Sequence, residues 1–201
     1  MTVGVLALQG AFIEHIRALH HLGTTTREVR SCSDLNSVDA LIIPGGESTT
    51  IGKLLARTGL DEAIRVRAAF GMPIWGTCAG MILLGTDVGD SGSRVGDPQR
   101  LLGLMDMRLR RNAFGAQLES FEATLAAPAI ADYPIPAVFI RAPVIETVGP
   151  EVAVLARLSD GRPVAARQGR FLATAFHPEL TDDLVVHRYF VETMGAEPDA
   201  A

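Results

Sequence analysis

Short apolar runs of strand length alternate, in the first part of the chain, with stretches in which apolar residues recur at helical spacing. Residues 2–8 form an apolar run closed by Gln9-Gly10, after which Phe12, Ile16 and Leu19 mark one face of a helix that Gly23 stops. Residues 24–29 are rich in β-branched side chains, and residues 40–43 read as a short buried strand ended by Pro44-Gly45-Gly46. A helix N-capped by Ser48 follows, with Ile51, Leu54 and Leu55 on its inner face and its end near Gly59. The next helix turns Leu60, Ile64 and Ala68 inward and Asp61, Glu62 and Arg65 elsewhere, until Gly71-Met72-Pro73 breaks it before a strand at Ile74. Strands alternating with helices predict a parallel sheet.

Residues 85–100 are dominated by Gly, Asp and Ser and read as a long surface loop. Beyond them the texture changes to short β-like runs at 105–110, 118–125, 138–140, 152–158, 163–167 and 171–176. Asp160-Gly161-Arg162-Pro163 looks like a hairpin turn, so antiparallel additions to the sheet are expected. A last helix is expected over about residues 182–194, with Val186 and Phe190 one turn apart, and residues 197–201 read as a loose tail. There is no internal repeat and no linker that would divide the chain. The fold class expected is therefore α/β: one domain over residues 1–196, with a mostly parallel central sheet flanked by helices and extended by antiparallel strands.

Composition narrows the functional classes. At 201 residues and 48% apolar content, the chain can bury a substantial core. A formal net charge of -5 provides no electrostatic footprint for nucleic acid or an anionic membrane surface, and every apolar run is too short or too interrupted to span a bilayer. Two cysteines, Cys32 and Cys78, and no charged-then-apolar leader fit a reducing cytoplasm better than a disulfide-bonded secreted protein.

Candidate chemistry concentrates at Ile74-Trp75-Gly76-Thr77-Cys78-Ala79-Gly80. An apolar strand runs into a small-residue turn presenting one cysteine, and an apolar helical run leaves it, which is the pattern of a nucleophile elbow. Glycines at 76 and 80 would let the flanking backbones approach, and the helix start would favour a thiolate at Cys78. A small buried core cysteine is the alternative, and a partner base must decide between them. His177-Pro178-Glu179, just after the predicted strand at 171–176, offers one: the imidazole as base and acid, the carboxylate as its orienter. An ordinary surface turn is the competing reading of that motif. Pro44-Gly45-Gly46-Glu47-Ser48-Thr49-Thr50 could direct backbone N–H groups into a cleft as an oxyanion hole, or could simply be a turn with an N-cap. It is not a phosphate loop, because Gly52-Lys53 is followed by Leu54. His15, His20, His21 and His187 lack metal-ligand spacing and read as solvated or packing residues, and Cys32 has no base beside it.

In chain order, the Gly-Gly loop, the Gly-Thr-Cys-Ala-Gly elbow and the His-Pro-Glu motif resemble the class I, triad-type glutamine amidotransferases. Leu6-Ala7-Leu8-Gln9-Gly10, residues 44–50, Arg111-Asn112-Ala113-Phe114-Gly115, Phe139-Ile140-Arg141-Ala142-Pro143 and His177-Pro178-Glu179-Leu180 narrow the resemblance to the glutaminase subunits of pyridoxal 5′-phosphate synthase, over about residues 3–194. The resemblance implies hydrolysis of L-glutamine to glutamate and ammonia, with Cys78 as nucleophile, His177 as base and acid and Glu179 as orienter. It further implies an oxyanion hole from the N–H groups of Gly46 and Ala79, and a glutamine grip from Gly46, Glu47, Ser48, Arg111, Ile140 and Arg141. Arg would meet the substrate carboxylate and Glu47 its ammonium. No cofactor is implied in this subunit. Its ammonia would pass to a (β/α)8-barrel synthase subunit that makes pyridoxal 5′-phosphate, in a hetero-oligomer that docks near Gln9-Gly10 and the first helix and activates a weakly active glutaminase. The chain departs from the family pattern in a longer, Gly-richer stretch at 85–96 and in Arg110, where an acidic residue is expected. A glutaminase for another synthase or a non-catalytic protein on the same fold are the rivals; an α/β hydrolase would place its acid before its histidine.

Overall fold

The computed structural model describes residues 1–89, 99–111 and 120–194. The first half follows the apolar pattern closely. β1 (Thr2–Leu6) buries Val3, Val5 and Leu6 completely, and α1 (Phe12–His21) turns Ala18 and Leu19 onto the core. β2 (Thr25–Val29), the single turn α2 (Cys32–Leu35) and the fully buried β3 (Ala40–Ile43) follow. α3 (Ser48–Thr58) and α4 (Leu60–Ala69) are joined by Gly59, whose φ of 71° would strain any residue with a Cβ. β4 (Ile74–Thr77) then leads into α5 (Ala79–Leu84), in which every residue is buried.

The second half contains β5 (Gly85–Val88), β6 (Met105–Arg110), β7 (Ser120–Leu125), β8 (Ile135–Ile140), β9 (Val144–Val148), β10 (Ala153–Arg157), β11 (Pro163–Gln168) and β12 (Phe171–Thr174). A 3-10 turn (Pro178–Leu180), α6 (Val185–Tyr189) and a π-helical turn (Phe190–Met194) complete the described residues.

The central sheet has the order β10-β11-β12-β4-β3-β1-β2. Its five strands from β12 to β2 are parallel, and β11 and β10 extend it in antiparallel fashion through the expected hairpin. The remaining strands do not join it. β5, β6 and β9 form one small sheet and β7 and β8 a two-stranded ribbon, so the antiparallel strands are divided between additions to the sheet and separate satellites.

Four local expectations change. Glu47, not Ser48, is the N-cap of α3, because its carboxylate reaches the N–H groups of Thr49 and Thr50 at 3.1 and 2.6 Å while Ser48 is already helical and buried. Residues 85–88 are a strand, formed by pairing with β6 despite their polar composition; residues 90–98 of the expected loop lie outside the described residues. β9 has no counterpart in the apolar pattern because only Val144 and Ile145 are buried and its conformation is set by pairing with β6. The last helix begins at Val185 and passes into a π-helical turn, while Val186 and Phe190 are buried as expected. The tail expected at 197–201 lies outside the described residues.

The tightest constraint is at the start of α5. A Cβ on Gly80 would sit inside the carbonyl oxygen of Ile43 in β3, and one on Gly76 would collide with the backbone of Gly80. These glycines therefore let a helix lie against the ends of two strands. Gly80→Ala is expected to destabilise the fold by about 3 kcal/mol through overpacking against backbone that has no room to yield, a loss that denaturant unfolding followed by circular dichroism would measure.

Candidate active site

The carboxyl ends of four neighbouring parallel strands, β1, β3, β4 and β12, lie along one edge of the sheet, where open α/β folds place their ligands. Each is followed by one of the segments singled out in the sequence. β1 leads to Gln9-Gly10, β3 to Gly45-Gly46, β4 to Cys78 and β12 to His177. The parallel register brings together residues far apart in the chain.

Cys78 occupies the elbow at φ 48° and ψ -102°, a backbone conformation that a residue with a Cβ adopts only under constraint. The constraint comes from both sides. Its N–H donates to the carbonyl of Thr174 at 2.7 Å, and its own carbonyl accepts from the N–H of Ile82 at 3.2 Å. The residue is 7% exposed. Arg141, at φ 44°, is the other non-glycine residue with positive φ among the described residues, and it lines the same cavity.

His177 is fixed by its backbone before its ring is considered. Its N–H donates to the carbonyl of Val138 at 2.8 Å, and the 3-10 turn that follows folds Glu179 back so that the imidazole Nδ1 lies 2.7 Å from Oε1. The ring lies against the glycine loop so closely that a Cβ on Gly45 would overlap it. The second glycine of the pair has a different reason: a Cβ on Gly46 would press on the side chain of Gln9. Burial disfavours a charged His177, but hydrogen bonds and charge from Cys78 and Glu179 outweigh it and raise the imidazole well above its usual range. Burial likewise disfavours a charged Glu179, but His15 and His177 keep its carboxyl below the usual range. The arrangement favours an imidazolium at His177.

A cavity of about 140 Å³ opens beside the sulfur, lined by Gly46, Glu47, Ser48, Cys78, Ala79, Ile82, Arg111, Ile140, Arg141 and Pro143. Every residue expected to bind substrate or hold an oxyanion is in this lining, while His177 and Glu179 stand behind Cys78. Arg111 and Glu47 do not face the cavity separately. Arg111 Nη2 is 3.2 Å from Glu47 Oε1, and its Nη1 reaches Gln99 Oε1 at 3.2 Å and Thr49 Oγ1 at 3.3 Å. Glu47 also caps α3, and the Thr50 hydroxyl donates to it at 2.7 Å. Burial works against its ionisation, but the hydrogen bonds from Thr50 and Thr49 prevail and lower its carboxyl to about 2.

Three groups of residues escaped the sequence reading. Gln99 joins Ser48 to Arg111, accepting from the Ser48 hydroxyl at 2.9 Å; it sits in a polar stretch with no motif to mark it. Gln9, expected near a docking surface, accepts from the N–H of Glu47 at 2.9 Å and so ties the end of β1 to the glycine loop, beside the Ala11 N–H bond to the Gly45 carbonyl at 3.1 Å. His15 and His187, expected to be solvated or incidental packing residues, are 0% exposed and lie behind Glu179. The 112–115 part of the Arg-Asn-Ala-Phe-Gly motif lies outside the described residues. No cluster of potential metal ligands occurs among the described residues, and none of their helices is long and apolar enough to cross a membrane.

Residues 5–196 match the SNO glutamine amidotransferase family. The chain is 61% identical to a pyridoxal 5′-phosphate synthase subunit PdxT of Herpetosiphon aurantiacus, over 95% of this chain and 99% of that protein. It is 57% identical to the protein of the same name from Roseiflexus sp., again over 95% and 99%. A crystal structure of a glutamine amidotransferase superposes with a TM-score of 0.88 at 48% identity, covering 96% of this chain and 99% of that one. PurLQS from Thermotoga maritima, at 17% identity and a TM-score of 0.69, shares the fold.

The capping carboxylate has a pH signature. A carboxyl lowered from 4.5 to about 2 on folding contributes stability that is fully present above pH 4.5 and is lost as the pH falls through 4.5 towards 2. Glu47→Ala is expected to cost about 1 kcal/mol at neutral pH through loss of the cap. Urea unfolding at a series of pH values should show the gap between variant and wild type closing across that acidic window.

Proposed function

The chain belongs to the SNO glutamine amidotransferase family, and from that premise we infer that it hydrolyses L-glutamine and delivers the ammonia to a pyridoxal 5′-phosphate synthase subunit. The observation that carries the reading is the strained Cys78 in the cavity lining, together with a His177 that Glu179 holds at 2.7 Å and whose charged form is favoured by Cys78 and Glu179. The thiolate sulfur attacks the side-chain carboxamide carbon of glutamine, and the carbonyl π electrons move onto oxygen. The N–H groups of Ala79 and Gly46 receive that oxyanion. His177 gives its proton to the departing nitrogen, so that ammonia leaves and a thioester to Cys78 remains. Water, deprotonated by His177, then attacks the thioester and releases glutamate and the thiolate.

Substrate recognition uses the polar wall of the cavity. A free amino acid carries a carboxylate and an ammonium, and Arg111 and Glu47 present the complementary pair with Ser48, Ile140 and Arg141 around them. Because Arg111 and Glu47 engage each other, glutamine enters by exchanging that contact for its own charges. The chain needs no cofactor for this chemistry. Pyridoxal 5′-phosphate is the product of the partner, which we take to be a (β/α)8 barrel in a cytoplasmic hetero-oligomer. The Gln9 bond to the glycine loop supports activation by docking, since contacts near β1 bear directly on the orientation of the Gly46-Glu47 backbone.

Glutamate release assayed with the synthase subunit present should fall roughly 10⁴-fold or more in Cys78→Ala, and less steeply in Glu179→Gln, whose loss leaves nucleophile and base in place. Turnover persisting in Cys78→Ala would overturn the mechanism. Wild-type glutamate release should rise on addition of the synthase; equal rates with and without it would exclude activation by docking.

A further inference from the structure

Behind the site, on the side away from the cavity, lies a buried polar chain that the reaction as described does not use. Glu179 presents one carboxylate oxygen to His177, and the other, Oε2, is buried without a hydrogen bond, with His15 Nε2 standing 3.4 Å from it. His15 Nε2 is also 3.3 Å from the Thr77 hydroxyl, one residue before Cys78. On its far side, His15 Nδ1 is 2.9 Å from His187 Nε2. The two imidazoles pack edge-on to Trp75, at 5.4 and 4.9 Å between ring centres, and the indole N–H donates to Thr174 at 3.1 Å. α1, β4, α6 and the turn after β12 thus meet at this chain.

Its hydrogens can be assigned. A bare His15 Nε2 would set a lone pair against the carboxylate oxygen in a buried site, so Nε2 carries the hydrogen, which lies between the Thr77 hydroxyl that receives it and the carboxylate oxygen 3.4 Å away. Nδ1 is then the acceptor, and His187 Nε2–H donates to it. That leaves His187 Nδ1 as a bare acceptor, and it is the His187 atom that is buried with no partner. The opposite assignment would put an N–H there with nothing to receive it, a costlier arrangement. Burial holds both imidazoles below their usual titration range, outweighing the opposing pull of Glu179; His177 adds to the lowering at His15, and His15 adds to it at His187, which is brought to about 3, so both are neutral at physiological pH.

We infer that His15 is a positioning residue of the catalytic triad, its Nε2–H shared between Thr77 and the facing outer oxygen of Glu179 and held in that tautomer by His187. The inference rests on the reading of Cys78, His177 and Glu179 as the triad. The donor stabilises the carboxylate form of Glu179 and fixes its plane, so that the other oxygen keeps the His177 Nδ1–H aligned and Nε2 towards the sulfur. A neutral donor suits this place better than a cation, which would compete with the imidazolium of His177 for the same carboxylate. Apart from His15, His177, His187 and Cys78, the titratable and charged groups around Glu179 and His15 are Glu14, Arg17, His21 and Asp182, which border the groove outside Glu179.

Two substitutions separate donation from packing. His15→Phe keeps an aromatic ring beside Trp75 and removes the donor, whereas His15→Gln keeps an N–H near the Nε2 position and removes the ring. With the synthase subunit present, His15→Phe should lower kcat roughly tenfold to a hundredfold, leave KM unchanged because His15 does not line the cavity, and move the acid limb of the kcat profile up by about one pH unit. His15→Gln should stay within about threefold of wild type with its acid limb in place. A His15→Phe enzyme with wild-type kcat and acid limb, or a His15→Gln enzyme as impaired as His15→Phe, would overturn the inference. Should His15→Phe fail to fold by circular dichroism, His187→Leu carries the test: a few-fold lower kcat with the same upward movement of the acid limb supports it, and an unchanged profile refutes it. Cys78→Ala assayed alongside distinguishes the two levels. Activity in that variant would remove the triad itself, whereas an inactive Cys78→Ala beside an unaltered His15→Phe would remove the role of His15 alone.

Discussion

The close approach of α5 to the ends of β3 and β4 governs the rest of the architecture. Without side chains at Gly76 and Gly80, the helix start can lie against the carbonyl of Ile43, and the chain turns sharply enough to push Cys78 into a positive-φ conformation. Such a conformation costs roughly 1–3 kcal/mol and persists only where neighbours over-determine it. Here the bond to the Thr174 carbonyl anchors one side, and the complete burial of α5 anchors the other. The strain is thereby held in place by the core.

Parallel pairing turns this local geometry into a site. Adjacent strands with carboxyl ends on one edge deliver a polar latch, a glycine loop, a cysteine and a histidine to the same rim, and the glycines of the loop let the loop and the imidazole pack in contact. The satellite strands complete the far wall. β8 carries Ile140 and delivers Arg141 at its end, and β6 ends next to Arg111, so two small sheets outside the main layer supply much of the polar lining.

Electrostatics runs through the site from front to back. At the mouth, Arg111 and Glu47 neutralise each other in a partly exposed setting. Behind the sulfur, a buried carboxylate is tolerated because His177 and His15 flank its two oxygens. Farther in, neutral imidazoles replace ions as the surroundings become fully buried. This gradation places charge where the chemistry needs it and leaves the deepest layer neutral.

Apolar periodicity and turn residues alone determined the alternation of β1 to α5, the elbow at Cys78 and the hairpin between β10 and β11, because each depends on local backbone preferences or on one buried face. The motifs likewise identified the residues that line the cavity. What only the tertiary structure decided depends on pairing and burial between distant segments. β9 is a strand because β6 pairs with it, Glu47 is a cap and an ion-pair partner because its carboxylate reaches both α3 and Arg111, and Gln99 matters because Ser48 and Arg111 converge on it. His15 and His187 are 172 positions apart, and nothing in either neighbourhood distinguishes them from a solvated histidine. They become a buried polar chain only when α1 and α6 pack on the same side of Trp75, where exclusion of water makes every remaining hydrogen bond consequential.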